Sequence, residues 1–214
     1  MAEAWPFSTF GVGSLGWKLA RTRIGGGMSI SGRGQVGVVD GGGSWEVDLD
    51  ETSIATQTER RIWNALILRA DAGGAVFEVP YLEEEPVSGT TARFAAAADL
   101  GATTAQIQRQ GGFSAALALG GPQAFTVVHA TEGARLYLIR KITSAGSAGA
   151  GGIDTVEFLP ALREAVTLNQ AIDFNSPRCL MRLEDPNDDA WPVMKAPWTA
   201  DVGVKLVEAF RQGT

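Results

Sequence analysis

The sequence predicts a mainly β protein with one flanking α-helix and a compact second β-barrel in its middle part. Glycine occurs 27 times in 214 residues, about double the average usage of roughly 7%. Glycine clusters separate short runs rich in valine, isoleucine, threonine and aromatic residues, which is typical of strands joined by tight turns. Only one stretch has the 3.6-residue periodicity of an amphipathic helix. Helices should therefore be few.

The N-terminal part predicts three strands separated by glycine triplets. Residues 17–24 form an extended run that the triplet at 25–27 should turn. Residues 28–31 and 45–50 alternate between apolar and polar side chains, as half-buried strands do.

The strand at 45–50 places its acidic side chains on one face. Trp45, Val47 and Leu49 should face a core, because side chains alternate across a strand. The opposite face then carries three carboxylates that would meet solvent or a lumen: Glu46, Asp48 and Asp50.

The single helix is predicted over residues 59–72. Ile62, Trp63 and Leu66 belong to one buried stripe at helical spacing. Thr56 stands three residues before Glu59, which is the spacing of a capping box. A strand should follow over residues 76–81, ended by a proline.

The second half predicts a series of short strands. A charged, proline-closed segment at 83–86 is the first candidate for a domain junction. Strands are then predicted at 103–109, 125–129, 136–142, 153–159, 166–174, 178–183 and 202–210. The implied organisation is a first domain in two parts, 1–92 and 175–214, interrupted by a small barrel at 93–174.

Six tryptophans fall into two groups. Three lie at periodic positions and are core candidates: Trp17, Trp45 and Trp63. The other three lie beside prolines in loops and are candidates for subunit contacts: Trp5, Trp191 and Trp198.

Composition excludes several classes of function. A net charge of −6 gives no basic field to collect phosphates, so ordinary nucleic-acid binding is disfavoured. Cys179 and His129 are the only residues of their types, which excludes an intrachain disulfide and histidine-based metal clusters. No run of 18 uncharged apolar residues occurs, so we expect no membrane insertion. The first residues lack a basic stretch followed by an apolar one, so we expect no leader. We also expect no cofactor.

Two motifs invite a catalytic or nucleotide-binding interpretation and fail its structural requirements. Residues 11–16 match GxGxxG, but the extended run after them leaves no room for the helix that would hold a pyrophosphate. His129 follows two valines in a predicted strand, and no GxSxG nucleophile motif is present. A packed histidine with one hydrogen bond is the favoured interpretation.

Two acidic clusters lie at 83–85 and 184–189. Their spacing fits neither a calcium loop nor a carboxylate pair for sugar hydrolysis, so solvated loop charge is favoured.

Taken in order, a set of short motifs resembles the distal tail and minor tail proteins of long-tailed bacteriophages and related gene-transfer particles. The first domain contributes residues 28–32, 42–46 and 63–66, the middle contributes 101–104, 125–127, 135–139 and 156–166, and the C-terminal part contributes 179–183 and 207–210. The resemblance implies a tail-tube-like β-sandwich or barrel with an inserted small barrel. It carries no catalytic residues.

The resemblance implies a structural, non-enzymatic virion protein. Such proteins form a ring, usually of six copies, that joins the tail tube to the tip hub and leaves a channel for passing DNA. The implied partners are further copies, the tail tube and hub proteins, and possible tape-measure or receptor-binding proteins. Its location would be the virion tail tip, after assembly in the host cytoplasm. Two rivals stay open: a host-glycan-binding module and, less favoured, a glycan hydrolase.

Overall fold

The computed structural model describes residues 2–21, 23–28, 34–38, 42–73, 75–82, 91–110, 123–146, 152–184 and 200–210. Their strands are β1 (Glu3–Ala4), β2 (Gly11–Ala20), β3 (Arg23–Met28), β4 (Gly34–Val38), β5 (Ser44–Ile54), β6 (Phe77–Pro80), β7 (Thr91–Phe94), β8 (Thr104–Gln110), β9 (Gln123–His129), β10 (Gly133–Ser144), β11 (Ile153–Leu159), β12 (Ala171–Asp173), β13 (Arg178–Leu183) and β14 (Ala200–Glu208). One helix is described, α1 (Gln57–Gly73). The predicted mainly β class with one helix and a small barrel is confirmed.

The chain divides into two compact units. Unit 1 comprises Met1–Lys18, Trp45–Pro80 and Cys179–Thr214. Unit 2 comprises Leu19–Ser44 and Tyr81–Arg178. The first unit is therefore built from separated parts of the chain, with the barrel strands between them in sequence.

Unit 1 is organised around an open six-stranded sheet with the order β1-β6-β13-β14-β5-β2. Strand β5 is antiparallel to β14, with Val47 opposite Leu206 and Asp48 opposite Lys205. Alternate apolar residues of both strands are buried, namely Trp45, Val47 and Leu49 of β5 and Val202, Val204 and Leu206 of β14. The alternation predicted for residues 45–50 therefore fixes which face of the sheet is covered. The short β1 adds to β6 in parallel.

Helix α1 begins with the predicted capping box. The Glu59 N–H donates to Thr56 Oγ1 at 3.2 Å, and the Thr56 N–H donates to Glu59 Oε2 at 3.1 Å. Hydrogen bonds from backbone N–H groups lower the pKa of the Glu59 carboxyl, and the bond from Ala55 has the largest effect. The buried stripe of the helix consists of Trp63, Leu66, Ile67 and Ala70.

Unit 2 contains a closed barrel with the strand order β10-β11-β8-β7-β12-β9. Its interior is filled by aromatic side chains. Phe125 stacks on Tyr137 at a centroid distance of 5.4 Å and meets Phe158 edge-on at 5.6 Å. Aromatic pairs in such offset and edge-on arrangements contribute beyond their buried area. The described interior of the barrel is thus a packed core.

The structure differs from the sequence predictions in several details. The triplet Gly25, Gly26 and Gly27 lies inside β3, because β3 continues through it and pairs with β4 as a two-stranded ribbon. Strands β1, β4 and β7 were not predicted, and Ile62, predicted in the buried stripe of the helix, is exposed. The predicted strand at 166–174 is divided into a bridge from Val166 to Ala98 and the short β12. The junction at 83–86 lies outside the described residues.

The capping box generates a stability prediction. Thr56→Ala removes the hydroxyl that accepts the Glu59 N–H, and losing such a cap costs about 1 kcal/mol. The measurement is the free energy of unfolding from urea denaturation followed by far-UV circular dichroism. Thr58→Ala, an exposed change in the first turn, is the matched control and should alter stability by less than about 0.5 kcal/mol. Equal losses for the two variants would contradict the cap.

Candidate functional site

The candidate site is the outer strand β2 of the open sheet together with the polar face of its neighbour β5. Strand β2 is ten residues long and terminates the sheet, with β5 as its one strand neighbour among the described residues. The edge of such a strand exposes backbone N–H and C=O groups that can pair with another chain. A long edge of this kind is a site for strand addition.

The side chains of β2 divide between two faces. Leu15, Trp17 and Leu19 are half-buried on the core side, whereas Ser14 and Lys18 are exposed on the other. Trp17 packs edge-on against Trp45 of β5, with a centroid distance of 5.9 Å. This contact anchors the outer strand to the sheet.

Gly16 leaves a bare stretch in the middle of the same exposed face. A Cβ atom built at Gly16 would meet no atom within 4 Å. A side chain at this position would therefore clash with no described part of the same chain. Because glycine has no side chain, the backbone of another strand can approach closely here.

The lumen candidates Glu46 and Asp48 lie on the polar face of β5, half-buried, and Asp50 is exposed near the end of the run. Glu46 Oε2 lies 3.3 Å from Lys18 Nζ and 3.4 Å from Lys205 Nζ. The expected row of carboxylates is therefore interleaved with lysines contributed by β2 and β14. Two cations and several acids give a face of mixed charge.

Lys205 joins this face to the end of β13. Its Nζ contacts Glu184 Oε2 at 2.7 Å, in addition to Glu46. The hydrogen bond to Glu184 is the main cause that raises the pKa of Lys205. Because these groups are substantially exposed, the ion pairs position side chains more than they stabilise the fold.

A buried carboxylate fixes the start of β5. Glu208 on β14 is 2% exposed, and its Oε2 accepts the Trp45 N–H at 3.1 Å. The carboxylate therefore holds the backbone of β5 at the residue whose side chain supports β2.

Trp5, expected at a subunit contact, is instead a core residue. Its side chain is 4% exposed and lies edge-on to Trp63 at 6.1 Å and to Phe77 at 5.3 Å. The strand β1 draws this residue into the sheet, because the Trp5 N–H donates to Glu78 O at 3.0 Å. The adjacent proline was a misleading signal. The other two candidates, Trp191 and Trp198, lie outside the described residues.

The structure also describes the other residues that the sequence analysis considered for catalysis or binding. His129 is buried and hydrogen-bonded to the Tyr137 hydroxyl, as the packed interpretation predicted. Cys179 is buried. The GxGxxG motif at 11–16 lies within β2, so no helix opens there. The acidic cluster at 83–85 and residues 185–189 lie outside the described ranges.

Two searches for other kinds of site gave negative results within the described part of the chain. There, no group of three or more histidine, cysteine, aspartate or glutamate side chains is placed to hold a metal ion. The described helix is not long and apolar enough to cross a membrane. Compared with known proteins, the chain matches no protein-family model and no curated sequence.

The Glu208 contact generates the prediction for this site. Glu208→Leu removes the carboxylate oxygen that accepts the Trp45 N–H, and the loss of a buried hydrogen bond of this kind costs about 1–3 kcal/mol of unfolding free energy. Glu208→Gln retains an acceptor oxygen at the same reach and should lose less. Chemical denaturation followed by tryptophan fluorescence measures both losses. If the leucine variant is no less stable than the glutamine variant, the hydrogen bond is not what Glu208 contributes.

Proposed function

We propose that this protein is a structural subunit of a phage-type tail tip that assembles, through its open sheet edge, into a closed ring. The observation that carries the proposal is the outer strand β2, ten residues long and paired on one side among the described strands. Pairing of that edge with a second copy would satisfy its backbone groups. The proposed activity is assembly, with no bond-making chemistry.

The β3–β4 ribbon supports the same proposal. It forms a separate two-stranded sheet, with Arg23 opposite Val38. A two-stranded ribbon has little stability of its own in water. Contact with a neighbouring copy would supply the packing that two strands lack.

A contact between two different surfaces generates a ring when the rotation between copies closes. The two ends of the sheet differ: β1 has two residues and β2 has ten. Strand β1 is too short to cover β2, so a head-to-tail ring requires another surface of the neighbouring copy to receive β2, whereas pairing of β2 with a second β2 would give a symmetric dimer. From the resemblance we propose a ring of six copies. Its neighbours would be the tail tube and hub proteins, and its location the virion tail tip.

The face that carries Glu46, Asp48 and Asp50 is the proposed lining of the central channel. Its lysines Lys18 and Lys205 balance much of this acidic charge. A surface of mixed charge lacks the basic field that would retain a phosphate backbone. DNA would therefore pass such a lining without a strong hold.

The rival glycan-binding function gains no support from the described barrel. Sugar recognition through stacking requires exposed aromatic rings. The described aromatic residues of the barrel are all buried: Phe94, Phe125, Tyr137, Phe158 and Phe174.

The ring is tested by placing charge on its proposed contact. Ser14→Lys together with Gly16→Lys adds two lysines beside Lys18 on the exposed edge, and lysine on edge strands opposes pairing. The matched control carries threonine at the same two positions, which favours strands and adds no charge. Light scattering coupled to size-exclusion chromatography measures the mass of each variant as concentration rises.

We expect the native chain and the threonine variant to form a closed oligomer of one defined size. The lysine variant should need at least about a tenfold higher concentration, which corresponds to about 1.4 kcal/mol. A native chain that stays monomeric at high concentration, both alone and with tail tube and hub proteins, would overturn the proposed function. Equal assembly of all three variants would reject β2 as the contact.

A further inference from the structure

One end of the barrel is closed by residues 160–166, here named the closing segment. Leu162 and Val166 of this segment belong to the buried core of the barrel. On one side the segment is bonded to the loop after β7: the Leu162 N–H donates to Ala102 O at 2.9 Å, and the Val166 N–H donates to Ala98 O at 2.8 Å. Its other side faces the turn that joins β9 to β10.

A carboxylate attaches the closing segment to that turn. Glu164 Oε2 accepts the N–H groups of Thr131 at 2.9 Å and Glu132 at 3.1 Å. These bonds, first the one from Thr131, lower the pKa of the Glu164 carboxyl from its ordinary 4.5. Gly133 completes the turn with a φ of 71°, a conformation that glycine adopts without strain. The turn is therefore held by an ionised glutamate at neutral pH.

A second attachment runs through a buried hydroxyl. Tyr137 is fully buried, and its hydroxyl accepts the Arg163 N–H at 3.1 Å. The same oxygen lies 2.8 Å from His129 Nε2. His129 at the end of β9 is thus linked to the backbone of the closing segment through one side chain.

The surroundings of His129 favour its neutral form. The residue is 3% exposed, and its Nδ1 has no hydrogen-bond partner among the described residues. The charged groups around it are Arg135 on β10, Glu132 in the turn and Glu164 on the closing segment. Burial lowers the pKa of His129 most; Arg135 acts in the same direction, whereas both glutamates oppose it.

Protonation adds one N–H donor to the ring. If Nδ1 gains the proton, the new donor is buried with no acceptor among the described residues. If Nε2 gains it, the new donor must point at the Tyr137 oxygen, so the hydroxyl hydrogen must leave that direction while the Arg163 N–H still donates to the same oxygen. A buried cation beside Arg135 is unfavourable as well.

We propose that His129 makes the attachment of the closing segment to the β9–β10 hairpin sensitive to acid, so that protonating this one residue releases the Arg163 backbone from the Tyr137 hydroxyl and loosens that end of the barrel. The device lies within unit 2 and does not depend on assembly into a ring. The loss would be local, because the bonds from Leu162 and Val166 to the loop after β7 do not involve His129.

The direction of the pH effect follows from linkage. A histidine whose pKa is lowered on folding binds its proton more tightly in the open state, so the attachment is fully present above 6.5, the ordinary value. It weakens as pH falls below 6.5 towards the lowered folded value. Glu164 acts in a separate window, because its contribution is present above 4.5 and is lost only as pH falls below that.

Native-state amide hydrogen exchange on the full chain tests the proposal residue by residue. From pH 7.5 to 5, the protection of the Arg163 amide, corrected for intrinsic exchange, should fall relative to the strand amides of Ile107 and Val156. The fall can reach at most about tenfold per pH unit, because one proton is involved. His129 is the only histidine, so its imidazole NMR signal gives its folded pKa without ambiguity.

Two substitutions separate the roles of the groups. His129→Gln keeps a polar side chain that does not titrate, and it should make Arg163 protection independent of pH in this range. Glu164→Gln should reduce the protection of the Thr131 and Glu132 amides while leaving the pH dependence of Arg163 in place. If His129→Gln fails to fold, the native chain alone still supplies the exchange profile and the titration.

The proposal is overturned if the folded pKa of His129 equals or exceeds 6.5. It is also overturned if Arg163 protection stays parallel to that of Ile107 and Val156, or if the pH dependence persists in His129→Gln. None of these outcomes bears on the proposed ring, whose measure is mass and whose contact is β2.

Discussion

The pairing of backbone hydrogen-bonding groups is the constraint on which the rest of this structure depends. Buried N–H and C=O groups must find partners, and the two units meet this requirement in different ways. In the barrel each strand has a neighbour on both sides, so the ladder closes on itself. In the open sheet the ladder of the described strands ends at β2. The same rule that makes the barrel complete leaves the sheet with a surface that can continue into another copy.

Local patterns were sufficient to predict most of the elements. Residues 45–50 alternate strictly because one face of β5 is covered, and the capping box marks the start of α1 because the Thr56 hydroxyl accepts the Glu59 N–H. The triplet at 25–27 shows the limit of such patterns. Glycine permits a turn without requiring one, and pairing with β4 decides the outcome. Strand β7 is four residues long, and its alternation of exposed and buried residues from Thr91 to Phe94 is too short a signal to predict a strand by itself.

The sequence predicted which side chains of the candidate site share one face of the sheet. It did not predict which residues of other strands contact them. The alternation in β5 placed Glu46, Asp48 and Asp50 together on the polar face. The lysines that meet Glu46 come from β2 and β14, which are distant in sequence, so only the sheet order brings them there. Trp5 was misassigned for a similar reason. Its neighbouring proline suggested a loop, whereas the parallel pairing of β1 with β6 draws the ring into the core.

The interior of the small barrel is filled with side chains, so DNA cannot pass through it. Phe125, Tyr137, Phe158 and Phe174 occupy its axis and are at most 1% exposed. The barrel therefore has a packed core and no central channel among the described residues. If DNA passes through an assembly of these chains, the channel must be lined by several copies together. Its diameter is then set by the assembly and not by a single copy.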